Sequence, residues 1–306
     1  MIDERVPPAL DGERIDRVVA LLTGLPRADA AGLVDDGRVQ VGGRVLSSRS
    51  RRMHTGEHLE IDTPEMVPVG PLAAEAGVPV PVVFADHDVI VVDKPAGLVV
   101  HPGAGNPTGT LIQGLLALFP DLEQLAVGDA AQRPGIVQRL DKGTSGLLVV
   151  ARSERARASL VAQLSARSVE RGYVALAAGR VDADEGLIDA PIGRDDALAT
   201  RMAVRTAGRP ARTRYRVEHR FATPIAASLL ACRLETGRTH QIRVHLAAIG
   251  HPVVGDERYG GPMLEVRRPF LHAAVLGFEH PGSGEQLHFE AELPADLAGL
   301  VARFGD

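Results

Sequence analysis

The sequence has few aromatic residues, one cysteine and almost no lysine, and each shortage narrows the possible classes of protein. Among 306 residues there are no tryptophans, three tyrosines and seven phenylalanines, so few side chains could stack on a nucleobase. The single cysteine, Cys232, lies in an apolar run, which excludes a disulfide framework and predicts a buried, inert thiol. No uncharged run reaches the ~18 residues of a membrane-spanning helix, and the acidic N-terminal segment lacks the apolar core of a secretory signal. We therefore expect a cytoplasmic protein without a membrane segment.

The basic residues are unevenly chosen and unevenly distributed. Of the 34 lysines and arginines, only Lys94 and Lys142 are lysines. Because an ammonium and a guanidinium are not interchangeable, lysine at these positions suggests a specific role, with chance placement as the alternative. The net charge of −5 argues mildly against nucleic acid, but local clusters of arginine decide this question. Arg212, Arg214 and Arg216 alternate along a predicted strand, where they would form either an RNA-binding stripe or a solvated sheet face.

The pattern of apolar and turn residues divides the chain into two domains and a linker. Residues 1–65 predict two helices, Gly12–Leu22 and Pro26–Asp35, followed by a hairpin with a glycine turn. Residues 66–80 are rich in proline, glycine and alanine without periodicity, as expected of a linker. Residues 81–306 form the second predicted domain. In it we expect strands near 82–84, 89–92, 98–100, 147–150, 173–176 and 229–235, and helices at 111–119, capped by Thr108 or Thr110, and at 152–168.

A charged segment precedes the most apolar of these strands. The strand, Leu147–Val150, is a run of β-forming residues typical of a strand buried on both faces. Ahead of it, Arg139, Asp141 and Lys142 place one carboxylate between two cations. Neighbouring positive charge favours the ionised carboxylate, which suits a nucleophile or a proton acceptor. The alternative is a surface ion pair in a loop that leads into a core strand.

The sequence of this segment, RLDKGTSGLLVV from Arg139, resembles the signature motif of the RluA-type pseudouridine synthases, in which the aspartate is catalytic. Asp141 occupies that position. Further blocks of the chain resemble the family's other blocks, in the same order: Asp93–Gly97, His101–Gly103, Glu170–Tyr173 and Gly237–Leu246. The chain departs from the family at Gln138, where the family has histidine. The resemblance implies an enzyme that isomerises uridine to pseudouridine in RNA and needs no cofactor.

The resemblance also implies a fold and a set of site residues. The fold is α+β, a mixed, mostly antiparallel curved sheet with flanking helices and a central cleft. Tyr173 would line the uracil pocket, the alternative being a core tyrosine, and Arg243 would pair with Asp141. RNA contacts would come from the remaining polar residues of the blocks: Lys94, Arg139, Lys142, Arg238 and Gln241. Arg139 would fill the space that the extruded base leaves, and Lys94 has a solvated lysine as its alternative.

The first domain resembles a second family. Its segment DDGRVQVGGRVL, which begins at Asp35, is similar in sequence to the S4 RNA-binding domain. Arg44, Arg49, Arg51 and Arg52 would contact phosphates, or would form a solvated basic turn in a small folding module. By resemblance to the members that carry such a domain, we expect the substrate to be large-subunit ribosomal RNA. We expect the enzyme to be a monomer.

Three alternative functions fit the sequence less well. A zinc site would have to use His240, His245, His251 and His272, whose spacing matches no metal template, so no metal is predicted. An RNA-binding assembly factor with a site decayed at Gln138 remains an alternative to the enzyme. Glycoside or nucleoside hydrolysis needs two carboxylates with opposed pKa values, whereas the motifs offer one acid among cations.

Overall fold

The computed structural model describes residues 2–23, 25, 27–46, 48–63, 72–103, 105–127, 131–196, 198 and 201–305. These residues fall into two compact units, which divide the chain at residues 70 and 71. Within the described ranges, no helix has the length and apolarity to cross a membrane.

The first unit is a four-stranded antiparallel sheet packed against two helices. The strands lie in the order β1–β4–β2–β3 and the elements are β1 (Ile2–Arg5), α1 (Ile15–Thr23), α2 (Arg27–Asp35), β2 (Val39–Val41), β3 (Arg44–Val45) and β4 (His58–Ile61). Ile15, Val18 and Val19 share one face of α1 and pack with Leu59 and Ile61 in the core. The two predicted helices and the hairpin are confirmed; Pro26 lies outside the described residues.

The second unit is built on one large mixed sheet. Its strands lie in the order β5–β6–β7–β14–β8–β13–β12–β9, and β15 pairs with β14. Among the described strands only β7 and β14 pair in parallel, so the predicted mostly antiparallel sheet is confirmed. The strands are β5 (Val82–Ala85), β6 (Val89–Lys94), β7 (Ser145–Ala151), β8 (Glu170–Ala178), β9 (Glu185–Asp189), β12 (Arg212–Phe221), β13 (Ala227–Leu234), β14 (Leu271–Glu279) and β15 (Gln286–Glu290).

The remaining elements of this unit flank the sheet. Two short strands, β10 (Ile192–Arg194) and β11 (Met202–Val204), form a separate hairpin. The helices are α3 (Leu111–Leu118), α4 (Glu154–Ala166), α5 (Gln241–Ala248) and α6 (Ala295–Val301). The helix α5 was not predicted from the sequence, and it carries two of the predicted site residues, Gln241 and Arg243.

Apolar side chains cover both faces of the sheet at β7, as predicted for this strand. Leu148 and Val150 pack in one core cluster, whereas Leu147 and Val149 pack in another. All seven residues of β7 are buried. Because β7 is packed on both faces, it fixes the position at which the preceding charged segment ends.

One local prediction differs from the structure, and the structure decides between two alternatives in another. Residues 98–100 do not form a strand, since only Val99 makes an isolated bridge, to Thr110. Of the two predicted caps of α3, Thr110 is the N-cap, and its backbone N–H donates to the Gln113 side chain.

The predicted linker is partly integrated into the second unit. Residues 66–71 of that linker lie outside the described residues. Leu72, Val78 and Val80 pack against the core of the second unit, and the Glu75 carboxylate accepts a hydrogen bond from the Gln113 side chain at 2.6 Å. Residues 72–80 are therefore a packed segment rather than a free spacer, because their apolar side chains contact the core of the second unit.

Candidate active site

A cleft of about 730 Å³ lies beside the start of β7 in the second unit. Its walls come from the segment that enters β7, from β8, and from the loop and helix that follow β13. Five residues that the sequence assigns to the site line it: Arg139, Asp141, Tyr173, Arg238 and Gln241. The structure thus brings residues from three distant blocks of the chain to one cavity.

The backbone on either side of Asp141 is held in a defined path. Its carbonyl oxygen accepts from the Thr144 N–H at 3.0 Å, which closes a turn, and the Lys142 carbonyl accepts from the Gly97 N–H at 2.7 Å. Gly146 has φ +115°, and a Cβ added there would lie 2.2 Å from the Ala273 carbonyl oxygen. Only glycine therefore allows β7 and β14 to approach at this point, directly beyond the acid.

Arg243 holds the Asp141 carboxylate. Its Nη1 donates to Asp141 Oδ2 at 2.9 Å, while its Nε and Nη2 donate to the two carboxylate oxygens of Asp256 at 2.5 and 2.8 Å. The guanidinium is 9% exposed and Asp256 is 1% exposed, whereas the Asp141 side chain is 17% exposed. Burial alone would lower the pKa of Arg243, but the bonds and charges of Asp256 and Asp141 outweigh it and raise the pKa. Arg243 is thus a permanent cation, fixed by a buried bidentate pair, that presents one N–H to Asp141.

The segment before α5 places His240 beside the same carboxylate. His240 has a left-handed backbone, φ +57°, which is uncommon for a residue with a side chain. Its Nδ1 lies 2.8 Å from the Tyr259 hydroxyl, and that oxygen accepts from the Met202 N–H. This arrangement favours the hydroxyl as donor to Nδ1, which leaves the proton of a neutral imidazole on Nε2, 3.9 Å from Asp141 Oδ2. Burial lowers the pKa of His240, which favours this neutral form.

Tyr173 is both a core residue and a wall of the cleft. It is 9% exposed and packs in the main apolar cluster of the unit. Burial raises the pKa of its hydroxyl to about 12, so the phenol stays neutral at physiological pH. Tyr173 is thus a core residue that also lines the cleft, and its contact with uracil remains a prediction.

Gln241 lines the cleft, but its side-chain amide is bonded within the protein, and its contact with RNA remains a prediction. It is 3% exposed, and its side-chain oxygen accepts from Thr236 Oγ1 and the Arg238 N–H. Its amide nitrogen donates to the Arg212 carbonyl and to Thr213 Oγ1. These bonds tie the start of α5 to β12 and thereby fix the helix that carries Arg243.

The Lys94 side chain is also bonded within the protein. Its side chain is fully buried, and the ammonium donates to the carbonyl oxygens of Pro95 and Leu98, both at 2.8 Å. Burial lowers its pKa to about 8 from an ordinary 10.5, although the charge of Asp141 opposes this shift. The solvated lysine of the sequence-based alternatives is wrong, because the last residue of β6 turns its side chain into the fold, whereas the contact of Lys94 with RNA remains a prediction.

The buried ammonium predicts an unusual dependence of stability on pH. Between about pH 8 and 10.5 the unfolded chain keeps the Lys94 proton and the folded protein loses it, so the free energy of unfolding rises with pH. We expect the wild type to gain about 2 kcal/mol relative to Lys94→Met between pH 7 and 9.5, since each pKa unit is worth 1.36 kcal/mol. Urea unfolding of both proteins at the two pH values measures this difference. A constant or falling difference would contradict the assignment.

The other predicted cations differ in the hydrogen bonds and ion pairs that their side chains make. Arg139 is exposed on the cleft and makes no hydrogen bond or ion pair with any described residue. Lys142 is exposed and donates to Asn106 Oδ1 at 3.0 Å. Arg238 lines the cleft and its Nε donates to the Pro210 carbonyl at 3.1 Å. By contrast, Arg212 and Arg214 pair with Glu235, so the face of β12 is largely neutralised.

The histidines of the zinc alternative and the predicted basic residues of the first unit have different surroundings. The histidines His245 and His272 are buried with both ring nitrogens in contact with protein oxygens, such as Thr213 Oγ1 and Ala291 O. In the first unit Arg44 is exposed, Arg51 pairs with Glu57 at 2.8 Å, and Arg52 donates to the Gly12 carbonyl at 2.7 Å.

The sequence-based prediction missed Asp256, Tyr259 and Arg171. A signal for the first two was present, because glycines at positions 255, 260 and 261 bracket them and mark a tight loop. A Cβ at Gly261 would lie 1.8 Å from the Val253 carbonyl oxygen, so the loop depends on this glycine. Arg171 stands within the Glu170–Tyr173 block, but nothing in the sequence marks it as buried.

Comparison with known proteins shows which family of proteins this chain is similar to. Residues 88–248 match the family described as RNA pseudouridylate synthase. A ribosomal large subunit pseudouridine synthase D from Nitrosomonas europaea is 43% identical over 310 residues, covering 98% of this chain and 87% of the relative. An uncharacterized RNA pseudouridine synthase from Chloroflexus aurantiacus is 48% identical over 304 residues, covering 98% and 93%. The solved structure of human RNA pseudouridylate synthase domain containing 1 is similar with a TM-score of 0.59 and 28% identity, covering 74% of this chain and 89% of that chain.

Proposed function

The chain belongs to the RluA-type family of RNA pseudouridine synthases, and from this premise we propose that it isomerises specific uridines of large-subunit ribosomal RNA with Asp141 as the essential carboxylate. One observation carries the proposal. Asp141 lines a cleft, is held by the buried Arg243 at 2.9 Å, and shares the cleft with Tyr173. A carboxylate that a buried guanidinium holds in place, in one cleft with an aromatic side chain, suits the isomerisation.

The chemistry follows from these positions. The uracil is released from C1′ at N1, turns within the cleft and rejoins C1′ through C5, and the C5 proton is lost as N1 gains one. Arg243 and His240 both face Oδ2 of Asp141, so Oδ1 is the oxygen that we assign to the sugar or base. Asp141 acts as nucleophile or as base through this oxygen. Tyr173 supports the uracil by stacking, which a neutral phenol can do.

The substrate assignment rests on the relatives. Several relatives of about 40% identity over nearly the whole chain are named ribosomal large subunit pseudouridine synthase D. We propose the same class of RNA here. Lys142 and Arg238 would meet the backbone on either side of the target uridine, since both are cations at or near the cleft. The first unit, proposed as an S4-like domain, would add contacts through Arg44, which is exposed.

Arg139 is proposed to occupy the space left by the extruded uridine. Extrusion costs a few kcal/mol, and an exposed guanidinium beside the acid could offset part of it. We expect Arg139→Ala to lower the single-turnover rate at least about tenfold while the Kd for RNA changes less than about threefold. The comparison variant is Lys142→Ala, which removes the cation on the other side of Asp141 and, as a proposed backbone contact, should raise the Kd for RNA more than it lowers the single-turnover rate.

Structures with fluorouracil-containing RNA test this role directly. If Arg139→Ala protein extrudes the base as wild type does and turns over normally, Arg139 has no part in base extrusion.

The proposed function is tested by tritium release. Wild-type protein incubated with [5-³H]uridine-labelled ribosomal RNA should release tritium to water, because C5 loses its hydrogen when it bonds to C1′. Mapping pseudouridines in ribosomal RNA from a strain that lacks the protein would identify the uridines. Absence of release from every RNA of the host would contradict the proposal and leave an RNA-binding protein.

A further inference from the structure

Arg171 is a buried cation without an anionic partner. It is 7% exposed, and its Nε has no hydrogen-bond partner. Within the described part of the chain no carboxylate lies within ion-pair distance of it. Arg212 is the informative contrast: its Nε also lacks a hydrogen bond, but it lies 3.1 Å from an Asp189 oxygen. A buried charge is normally paired, so the isolation of Arg171 calls for a ligand.

Arg171 lies in the wall of the cleft, and its guanidinium lies between two other wall residues, Leu234 and Gly237. Arg171 lines the cavity together with Tyr173, two residues along β8 on the same face of the strand. Its Nη2 donates to the Leu234 carbonyl at 3.3 Å, which orients the head group across the end of β13. A Cβ added to Gly237 would lie 2.9 Å from Nη1, so the glycine makes room for the guanidinium.

The surroundings carry excess positive charge. Arg167, Arg209 and Arg238 line the same part of the cleft. Glu235 is the nearby acid, but it is shared by Arg167, Arg212 and Arg214 at 3.9, 2.7 and 2.7 Å. Burial, and then the charges of Arg209 and Arg167, lower the pKa of Arg238, which reports the same crowding of cations. Such an environment suits a compact anion with several acceptor oxygens.

We propose that Arg171, with the Gly237–Thr239 segment, forms a phosphate subsite inside the cleft that binds one backbone phosphate of the RNA next to the target uridine. The subsite lies about 7 Å along β8 from Tyr173, two residues at the rise of a strand, a separation that one nucleotide can bridge. The inference rests on the proposed RNA substrate. A guanidinium fork matches phosphate geometry, and its positioned N–H groups need no carboxylate until the ligand arrives.

The first test uses inorganic phosphate and the full chain. Phosphate should raise the Tm of the second unit by a few degrees above sodium chloride of equal ionic strength, since a ligand stabilises the folded state that binds it. Arg171→Met should lose this shift and should itself unfold at or above the wild-type temperature, because it removes an uncompensated buried charge. Gly237→Ala keeps the charge but displaces it, and should weaken the shift.

The control is Arg216→Met, which removes an exposed arginine paired with Glu218 outside the cleft. It should respond to phosphate as wild type does. A wild type that does not respond, or an Arg171→Met that still does, overturns the proposal. A shift with uridine alone that depends on Arg171 also overturns it, because the guanidinium would then contact the base.

The second test measures RNA affinity against salt. Each phosphate contact on single-stranded RNA contributes about 0.7 to the slope of log K against log salt concentration, so Arg171→Met should lower the slope by about that amount. Arg171→Lys should keep the slope, and Arg216→Met should not change it. An unchanged slope in Arg171→Met contradicts the subsite. Tritium release by wild type tests the proposed function separately, so failure of one does not imply failure of the other.

Discussion

Replacing Asp141 by asparagine should abolish tritium release from labelled ribosomal RNA while the protein stays folded. Asparagine keeps the shape of the side chain and can still accept a hydrogen bond from Arg243. It cannot act as an anionic nucleophile or accept a proton at neutral pH. We expect the rate to fall at least about 10³-fold, within the range attributed to a positioned acid or base.

The measurement needs two readouts from the same preparation. Single-turnover tritium release reports chemistry, and RNA binding by filter retention or anisotropy reports affinity. Asp141→Asn should bind RNA at least as tightly as wild type, because one negative charge in a cationic cleft is removed. Residual release within about tenfold of wild type would show that another group performs the chemistry and would remove Asp141 from the mechanism.

Replacing Arg243 by methionine should both destabilise the second unit and inactivate the enzyme. The substitution leaves the Asp256 carboxylate 1% exposed and without its guanidinium, and a broken buried pair costs about 3–5 kcal/mol. Asp141 loses the N–H that holds Oδ2, so we expect at least about a 10²-fold loss of rate at a temperature where the variant is folded. Urea unfolding and tritium release measure the two effects.

The matched control is Arg157→Met on α4. Arg157 also makes a bidentate pair, with Glu154, but its side chain is 40% exposed and its partner 65% exposed. An exposed i,i+3 pair contributes about 0.3–0.5 kcal/mol, so this variant should unfold nearly as wild type does. Arg243→Lys separates charge from geometry, because an ammonium cannot bond both carboxylates in the guanidinium's fork. If Arg243→Met proved as stable as Arg157→Met, the buried pair would not support the site.

Several features of the fold and the site were predictable because they depend on residues close together in the chain. The run Leu147–Val150 predicts a strand covered on both faces, and the structure confirms it. The helical spacing of the apolar residues in α1 predicts the face that packs against the small sheet. Asp141 and its two neighbouring cations are visible as a motif because the family's signature is local. The pairing of Arg243 with Asp141 came from the resemblance, not from any periodicity.

Other parts of the site could not be predicted, because they depend on contacts between residues far apart in sequence. Lys94 and Gln241 have polar side chains in charged motifs, which suggested RNA contacts, yet both turn into the fold where carbonyl and hydroxyl oxygens satisfy them. Asp256 becomes part of the site only because its loop packs on α5.

The sequence by itself predicted the buried strand β7, the helices with clear periodicity, and Asp141 as the candidate acid. The tertiary structure decided which cations remain available to an anionic ligand. Arg212 and Arg214 share the carboxylate of Glu235, whereas Arg171 is buried beside the cleft without a carboxylate among the described residues. The physical reason is that the strength of a charge depends on its partners and its exposure to water, and strand pairing across the sheet sets both.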